Sequence, residues 1–170
     1  MVLLLLRTGM RIGELLSVRI QDIDLAEQKI LIAETNKTVT GRLVYFSSDA
    51  KEALVAWLKE KDPREDVLFY GKKYESITYC AARQMFVKCL KNAGLLQKGY
   101  TIHCLRHTYA SELLNAGMRL ECLQPLLGHT SIEVTRRYAR LTDKTREEEY
   151  FKAMAMIEKG EIHGAYRFDH

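Results

Sequence analysis

Apolar helical runs that stop at a glycine recur along this chain, and they restrict it to an assembly of short helices. Val2 to Leu6 reads as a helix end closed by Thr8-Gly9, and Ile12 to Val18 as a second short helix. Ser76 is expected to cap a long helix reaching Asn92, with Gly94 as its stop. His103 to Ala116 stops at Gly117, and Asp143 to Lys159 stops at Gly160. Glycine suits these places because a left-handed residue ends a helix and frees the chain to turn. Ser48 or Asp49 is a good N-cap for a helix with Ala53, Leu54, Trp57 and Leu58 on one face, ended by Asp62-Pro63. Leu120 to Leu127 reads as a helix containing Pro125, a residue expected to be tolerated only near a first turn. Thr130-Ser131-Ile132-Glu133 fits a capping box, so a short helix starts there and carries Tyr138 near its end.

Two segments break the helical pattern. Lys29 to Glu34 (KILIAE) and Arg42 to Ser47 (RLVYFS) are rich in β-branched and apolar residues, and the polar stretch Thr35 to Gly41 lies between them. They predict a β-hairpin with Lys37 near its tip. Val67-Leu68-Phe69 is expected to add a third short strand. The fold class is therefore mainly α (α+β), a helical domain with a small antiparallel β-sheet at one edge. No repeat, low-complexity stretch or linker divides residues 1–170, which reads as one domain.

With 170 residues, 47% hydrophobic and 28% charged, the chain is long enough to bury a core. A net charge of +4 permits a polyanionic partner without demanding one. Cys80, Cys89, Cys104 and Cys122 form no Cys-x-x-Cys pair and read as buried free thiols in a reducing compartment. The opening Val2 to Leu6 run lacks a basic leader, is interrupted by Arg7 and is too short to span a bilayer. It is expected to be the interior of a longer protein.

The chemistry concentrates in the C-terminal half. His103-Cys104-Leu105-Arg106-His107-Thr108 is followed by Leu127-Gly128-His129 and then by Tyr138. A second arginine, Arg11, stands in Thr8-Gly9-Met10-Arg11-Ile12-Gly13-Glu14-Leu15. A phosphodiester repels nucleophiles, and its transition state puts more charge on the non-bridging oxygens. Arginine offers a planar, permanently charged fork that matches those oxygens two at a time. Arg11 and Arg106 are the candidates for such a clamp, on a concave positive face. A tyrosine hydroxyl, with a pKa of about 10, needs a base or a positive site to shed its proton. His103 and His129 are candidates for that role, and Lys37 is a candidate donor to the departing oxygen. His103 and His107, four residues apart, also match half of a helical metal site. No matching carboxylate or thiolate cluster follows in the sequence, so no metal or other cofactor is assigned.

In these stretches the chain resembles the catalytic domain of the tyrosine recombinases, the phage integrase group. The resemblance rests on TGMRIGELLSVRIQDID, the hairpin ETNKTVTGRLVYFS, TIHCLRHTYASELLNAG and LLGHTSIEVTRRYARLT, and it covers nearly the whole chain. It implies that Arg11 and Arg106 hold the scissile phosphate of double-stranded DNA, that His103 takes part in proton transfer, and that His129 contacts a non-bridging oxygen. It further implies Lys37 as general acid and Tyr138 as the nucleophile that forms a 3′-phosphotyrosyl link. Glu14 takes the family's acidic position, supporting the site's geometry. The bond energy stays in the covalent link, so the implied reaction needs neither ATP nor metal.

The resemblance also implies an N-terminal DNA-clamping domain and a fuller first helix, which this sequence does not contain. The helix at 143–159 would join protomers into a homo-oligomer, a tetramer on DNA. The alternative is that its Tyr150, Phe151, Met154 and Ile157 pack on their own domain, which is the reading slightly preferred from sequence. The implied setting is the prokaryotic cytoplasm, on DNA, with no membrane. The alternatives in function are a truncated, inactive DNA-binding remnant and a type IB topoisomerase-like strand transferase. The short length and the spacing from Arg106 through His129 to Tyr138 count against the topoisomerase.

Overall fold

A computed structural model of the chain describes residues 1–33, 41–71, 76–128, 150–151 and 154. The elements in order are α1 (Val2–Thr8), α2 (Ile12–Ser17), β1 (Ile23–Asp24), β2 (Lys29–Ile32), β3 (Arg42–Tyr45), α3 (Ser48–Glu60), α4 (Tyr79–Asn92), α5 (Ile102–Asn115) and α6 (Leu120–Leu127). Among the described residues the architecture is mainly helical with one small antiparallel sheet.

The sheet runs β1-β2-β3, with Ile30 opposite Val44 and Ile32 opposite Arg42. Side chains alternate along the strands. Ile30, Ile32 and Val44 are buried, while Leu31 and Leu43, also a cross-strand pair, face outward. The third strand is Ile23–Asp24 and not the Val67-Leu68-Phe69 segment expected from its residue types. Val67 makes only an isolated bridge to Arg19, and Leu68 donates to the Val18 carbonyl. Leu68 is fully buried, and its carbonyl accepts from Trp57 Nε1 at 2.9 Å. Its apolar run thus serves a buried crossing beneath α3 and not a ladder.

Helix ends are set by left-handed glycines and, at α4, by a side-chain cap. Gly9 closes α1 with φ 62° and donates to the Leu5 carbonyl. The N-cap of α3 is Ser47, ahead of both expected candidates, Ser48 and Asp49. For α4 it is Thr78, whose hydroxyl accepts from Ala81 N–H, and not Ser76, whose hydroxyl instead donates to the Leu16 carbonyl. Pro125 stands in the last turn of α6, against the expectation that only a first turn would tolerate it. The missing donor there removes one bond from an eight-residue helix whose C-terminal carbonyls find other partners.

Among the described residues two apolar clusters fill the interior. The larger gathers Leu4, Leu5, Met10, Leu15, Ile30, Val44, Phe46, Leu54, Leu68, Phe86 and Ile102, among others. The smaller gathers Tyr109, Ala110, Leu114, Leu123 and Leu127. Each fully buried leucine contributes about 1.5–3 kcal/mol from removal of apolar surface. Helix α5 joins both clusters, its Ile102 end in the larger and its Tyr109–Leu114 face in the smaller. Arg106 falls between them on the same buried stripe.

The cysteines are free but not buried as expected: Cys80, Cys89 and Cys122 are exposed and Cys104 is half-buried. The inward face of α4 is Ala82, Phe86 and Leu90, spaced by four, and Cys80 and Cys89 fall off it. Cys104 Sγ accepts from Thr101 N–H at 3.4 Å and so helps close the N-terminus of α5. No helix among the described residues is long and apolar enough to cross a membrane.

Candidate active site

The turn between α1 and α2 sets the first arginine. Gly9 adopts the left-handed conformation, Met10 is buried, and Arg11 becomes the extended N-cap of α2. Three residues on, Glu14 reaches back and accepts the Arg11 backbone N–H at 2.6 Å. The same carboxylate takes the Arg11 guanidinium at 3.0 Å, leaving that side chain about a third exposed (35%).

Glu14 itself is buried and shared. Arg42, from the first position of β3, lays two guanidinium nitrogens against its two oxygens, each at 2.8 Å. Burial pushes the Glu14 carboxyl upward, but the hydrogen bonds from Arg42 and Arg11 outweigh it and hold the group down at about 2. At neutral pH it is therefore a carboxylate.

Arg106 lies one helical stripe deep in α5 and is 3% exposed. It donates Nη1 to the Gly9 carbonyl at 2.6 Å and Nη2 to the Leu127 carbonyl. Those carbonyls belong to the C-cap of α1 and the last residue of α6. A permanent cation there meets the negative ends of two helix dipoles. The two arginines differ in access: Arg11 reaches the surface, and Arg106 is buried.

His103, one turn before Arg106, faces the same group of charges. Its ring meets that of His107 edge to face at 4.6 Å between centroids. Burial first, then the neighbouring His107, Arg106 and Arg11, lower its pKa from the ordinary histidine value. The lowered pKa favours the neutral ring, the form that can accept a proton.

The structure therefore brings together Arg11, Glu14, His103 and Arg106 from two separate stretches of sequence. Lys37, His129 and Tyr138 lie outside the described residues. His129 directly follows Gly128, the C-cap of α6 with φ 61°. The residue that sequence reading missed is Arg42, noted there only as the first residue of an expected strand. A signal was present: period-two alternation in RLVYFS puts Arg42 on the inward face with Val44 and Phe46, and a buried cation requires a carboxylate.

This helical domain with its three-stranded sheet is the fold of tyrosine recombinase catalytic domains. The crystal structure of XerA recombinase matches it with a TM-score of 0.76 at 31% identity, over 89% of this chain and 56% of that one. The XerH site-specific recombinase bound to its difH substrate, a pre-cleavage complex, matches with a TM-score of 0.71 at 28% identity, over 88% of this chain and 44% of that one. The chain belongs to the phage integrase family, whose model matches residues 1–145. The tyrosine recombinase XerA of Saccharolobus solfataricus is 38% identical over 152 residues, covering 89% of this chain and 48% of the relative. The chain thus spans about half the length of that curated relative.

Proposed function

We propose that this chain is the catalytic domain of a site-specific DNA recombinase that cuts and rejoins strands through a tyrosine. The observation that carries this reading is the convergence of Arg11, His103 and Arg106, with His103 held toward its neutral form by burial and by the surrounding positive charge. Arg11 and Arg106 hold the scissile phosphate, and His129 contacts a non-bridging oxygen. The Tyr138 hydroxyl attacks phosphorus, with His103 taking part in removal of its proton. The bond from phosphorus to the 5′ oxygen breaks, and Lys37 protonates that oxygen. The product is a 3′-phosphotyrosyl link and a free 5′ hydroxyl, and attack by another 5′ hydroxyl reverses the sequence. Glu14 supports the Arg11 end of the site. The partner is double-stranded DNA and the setting is the cytoplasm, on DNA.

The test is covalent capture. A randomised pool of nicked duplexes is incubated with the protein and resolved under denaturing conditions. A slow-migrating protein–DNA species that disappears in Tyr138→Phe supports the reading. Footprinting without any covalent species would favour a DNA-binding remnant.

A second part of the reading concerns assembly. Tyr150 and Phe151 are helical and exposed, at 60% and 61%, and pack on each other at 5.4 Å between ring centroids. That exposure favours docking of the 143–159 segment on a second copy, giving a tetramer on DNA, over packing of these two residues on their own domain. Sedimentation of the protein with captured duplex distinguishes a monomer from higher assemblies.

A further inference from the structure

The C-terminal end of α6 accounts for all four carbonyls that a helix leaves without intrahelical partners. Gly128 N–H donates to Gln124 and Pro125. Leu126 accepts from Arg42 Nε at 3.0 Å, and Leu127 accepts from Arg106. Arg42 therefore uses three nitrogens in two directions, two on the Glu14 carboxylate and one on the α6 end. Its side chain is 8% exposed and that of Glu14 is 4% exposed, so this is a buried ion pair with a fixed geometry. The approach depends on Gly128: a Cβ there would stand 2.8 Å from Arg42 Nη1.

Three pieces of chain meet in this one guanidinium. Through Glu14 it holds the turn that carries Arg11. Through Leu126 it holds the helix end that His129 follows. Its own strand, β3, begins five residues after Lys37. On the strand-transfer reading above, we propose that Arg42 is a positioning residue, setting the Arg11 turn and the α6 end in one register so that the phosphate is gripped from both sides. A lysine has the charge but lacks the planar fork needed to serve two acceptors in different directions. Among the described residues, the charged groups facing Glu14 include Arg11 from its own turn and Arg42 from β3; α6 meets Arg42 through the Leu126 carbonyl, and Arg106 of α5 holds the next carbonyl, Leu127.

The experiment compares the full chain with Arg42→Met, Arg42→Lys and the neutral pair Arg42→Met/Glu14→Gln. Carboxyl NMR follows the Glu14 titration, and hydrogen exchange follows the Gly128 amide. In Arg42→Met the Glu14 titration moves up from about 2, because the Arg42 guanidinium then no longer offsets burial. Exchange at Gly128 quickens by about tenfold as the α6 end loosens. Covalent capture with the nicked duplexes slows by about 100-fold, the effect of a misplacement near 1 Å. Its acid limb also moves to higher pH. Arg42→Lys keeps Glu14 titrating low but recovers capture only in part. The neutral pair regains thermal stability without regaining rate, because no group then spans to Leu126.

An unchanged Glu14 titration and unchanged Gly128 exchange in Arg42→Met overturn the proposal. So does full recovery of rate in the neutral pair, which would make Arg42 a counter-charge alone. If the wild-type chain forms no covalent species, the strand-transfer reading fails instead. The titration and exchange arms still decide whether Arg42 sets the register.

Discussion

The Glu14 carboxylate and the Arg42 guanidinium, 28 residues apart in the chain, meet through two parallel hydrogen bonds of 2.8 Å. This pair joins the first helical turn of the site to the sheet. Because both side chains are nearly inaccessible, neither can lose the other cheaply.

Removal of one partner leaves a buried, uncompensated charge. Glu14→Ala is expected to lower stability by about 3–5 kcal/mol in chemical denaturation. Glu14 also gives the fold an acid-sensitive component. Its folded pKa of about 2 lies below the ordinary value of 4.5. The stability it contributes is therefore complete above about pH 4.5 and is lost as pH falls toward 2. Melting temperatures between pH 5 and pH 2.5 check this, and Glu14→Gln should have a flatter profile across that range.

Gly9 and Gly128 each sit at positive φ against a side chain. A Cβ on Gly9 would lie 2.2 Å from Tyr109 Cδ1, and the ring is buried. Gly9→Ala should cost more than the roughly 1–2 kcal/mol of left-handed strain alone. Calorimetry of Gly9→Ala with and without Tyr109→Leu separates the two components, because shortening the ring should recover the steric part and not the strain.

Arg106 binds backbone carbonyls from two helices, and a lysine ammonium cannot reproduce that planar geometry. Arg106→Lys is expected to destabilise the domain by about 2–3 kcal/mol, given one or more lost charge-assisted bonds. Covalent capture should be abolished. Capture at the wild-type rate would remove Arg106 from the site.

His103 should titrate below the ordinary histidine value, and its pKa should rise when a neighbouring positive charge is removed. NMR titration of the ring in His107→Gln and Arg11→Gln checks this, with upward shifts expected in both. The lowered pKa favours the neutral ring in the folded protein. Its stability contribution is therefore complete above about pH 6.5 and is lost as pH falls through the folded value. A shift in the opposite direction would mean that His103 does not face those cations.

What the sequence showed and what it hid follow from the range of the interactions. Gly9, Gly94 and Gly117 announced helix ends because a left-handed residue is a local requirement. The hairpin strands were legible from alternation, and β2 and β3 pair as expected. Ile23–Asp24 was hidden because a two-residue strand has no period to read. Val67-Leu68-Phe69 misled because the same apolar residues suit a ladder and a buried crossing equally. The cysteines were misplaced because an apolar helical stretch does not by itself say which stripe turns inward. Arg11, His103 and Arg106 were picked out as candidates through residue type and order, and the fold brings them near one another. Arg42 was passed over because its acceptors are 28 and 84 residues away. The burial of Arg106 was equally distant information, since Gly9 lies 97 residues from it.

The central claim is that the cut strand is carried on Tyr138. Mass spectrometry of protease-digested covalent complex, after nuclease trimming, measures this directly. The account predicts a nucleotide joined through its 3′ phosphate to the peptide containing Tyr138, and no adduct in Tyr138→Phe. A nucleotide on any other residue, or an adduct that persists in Tyr138→Phe, would contradict it.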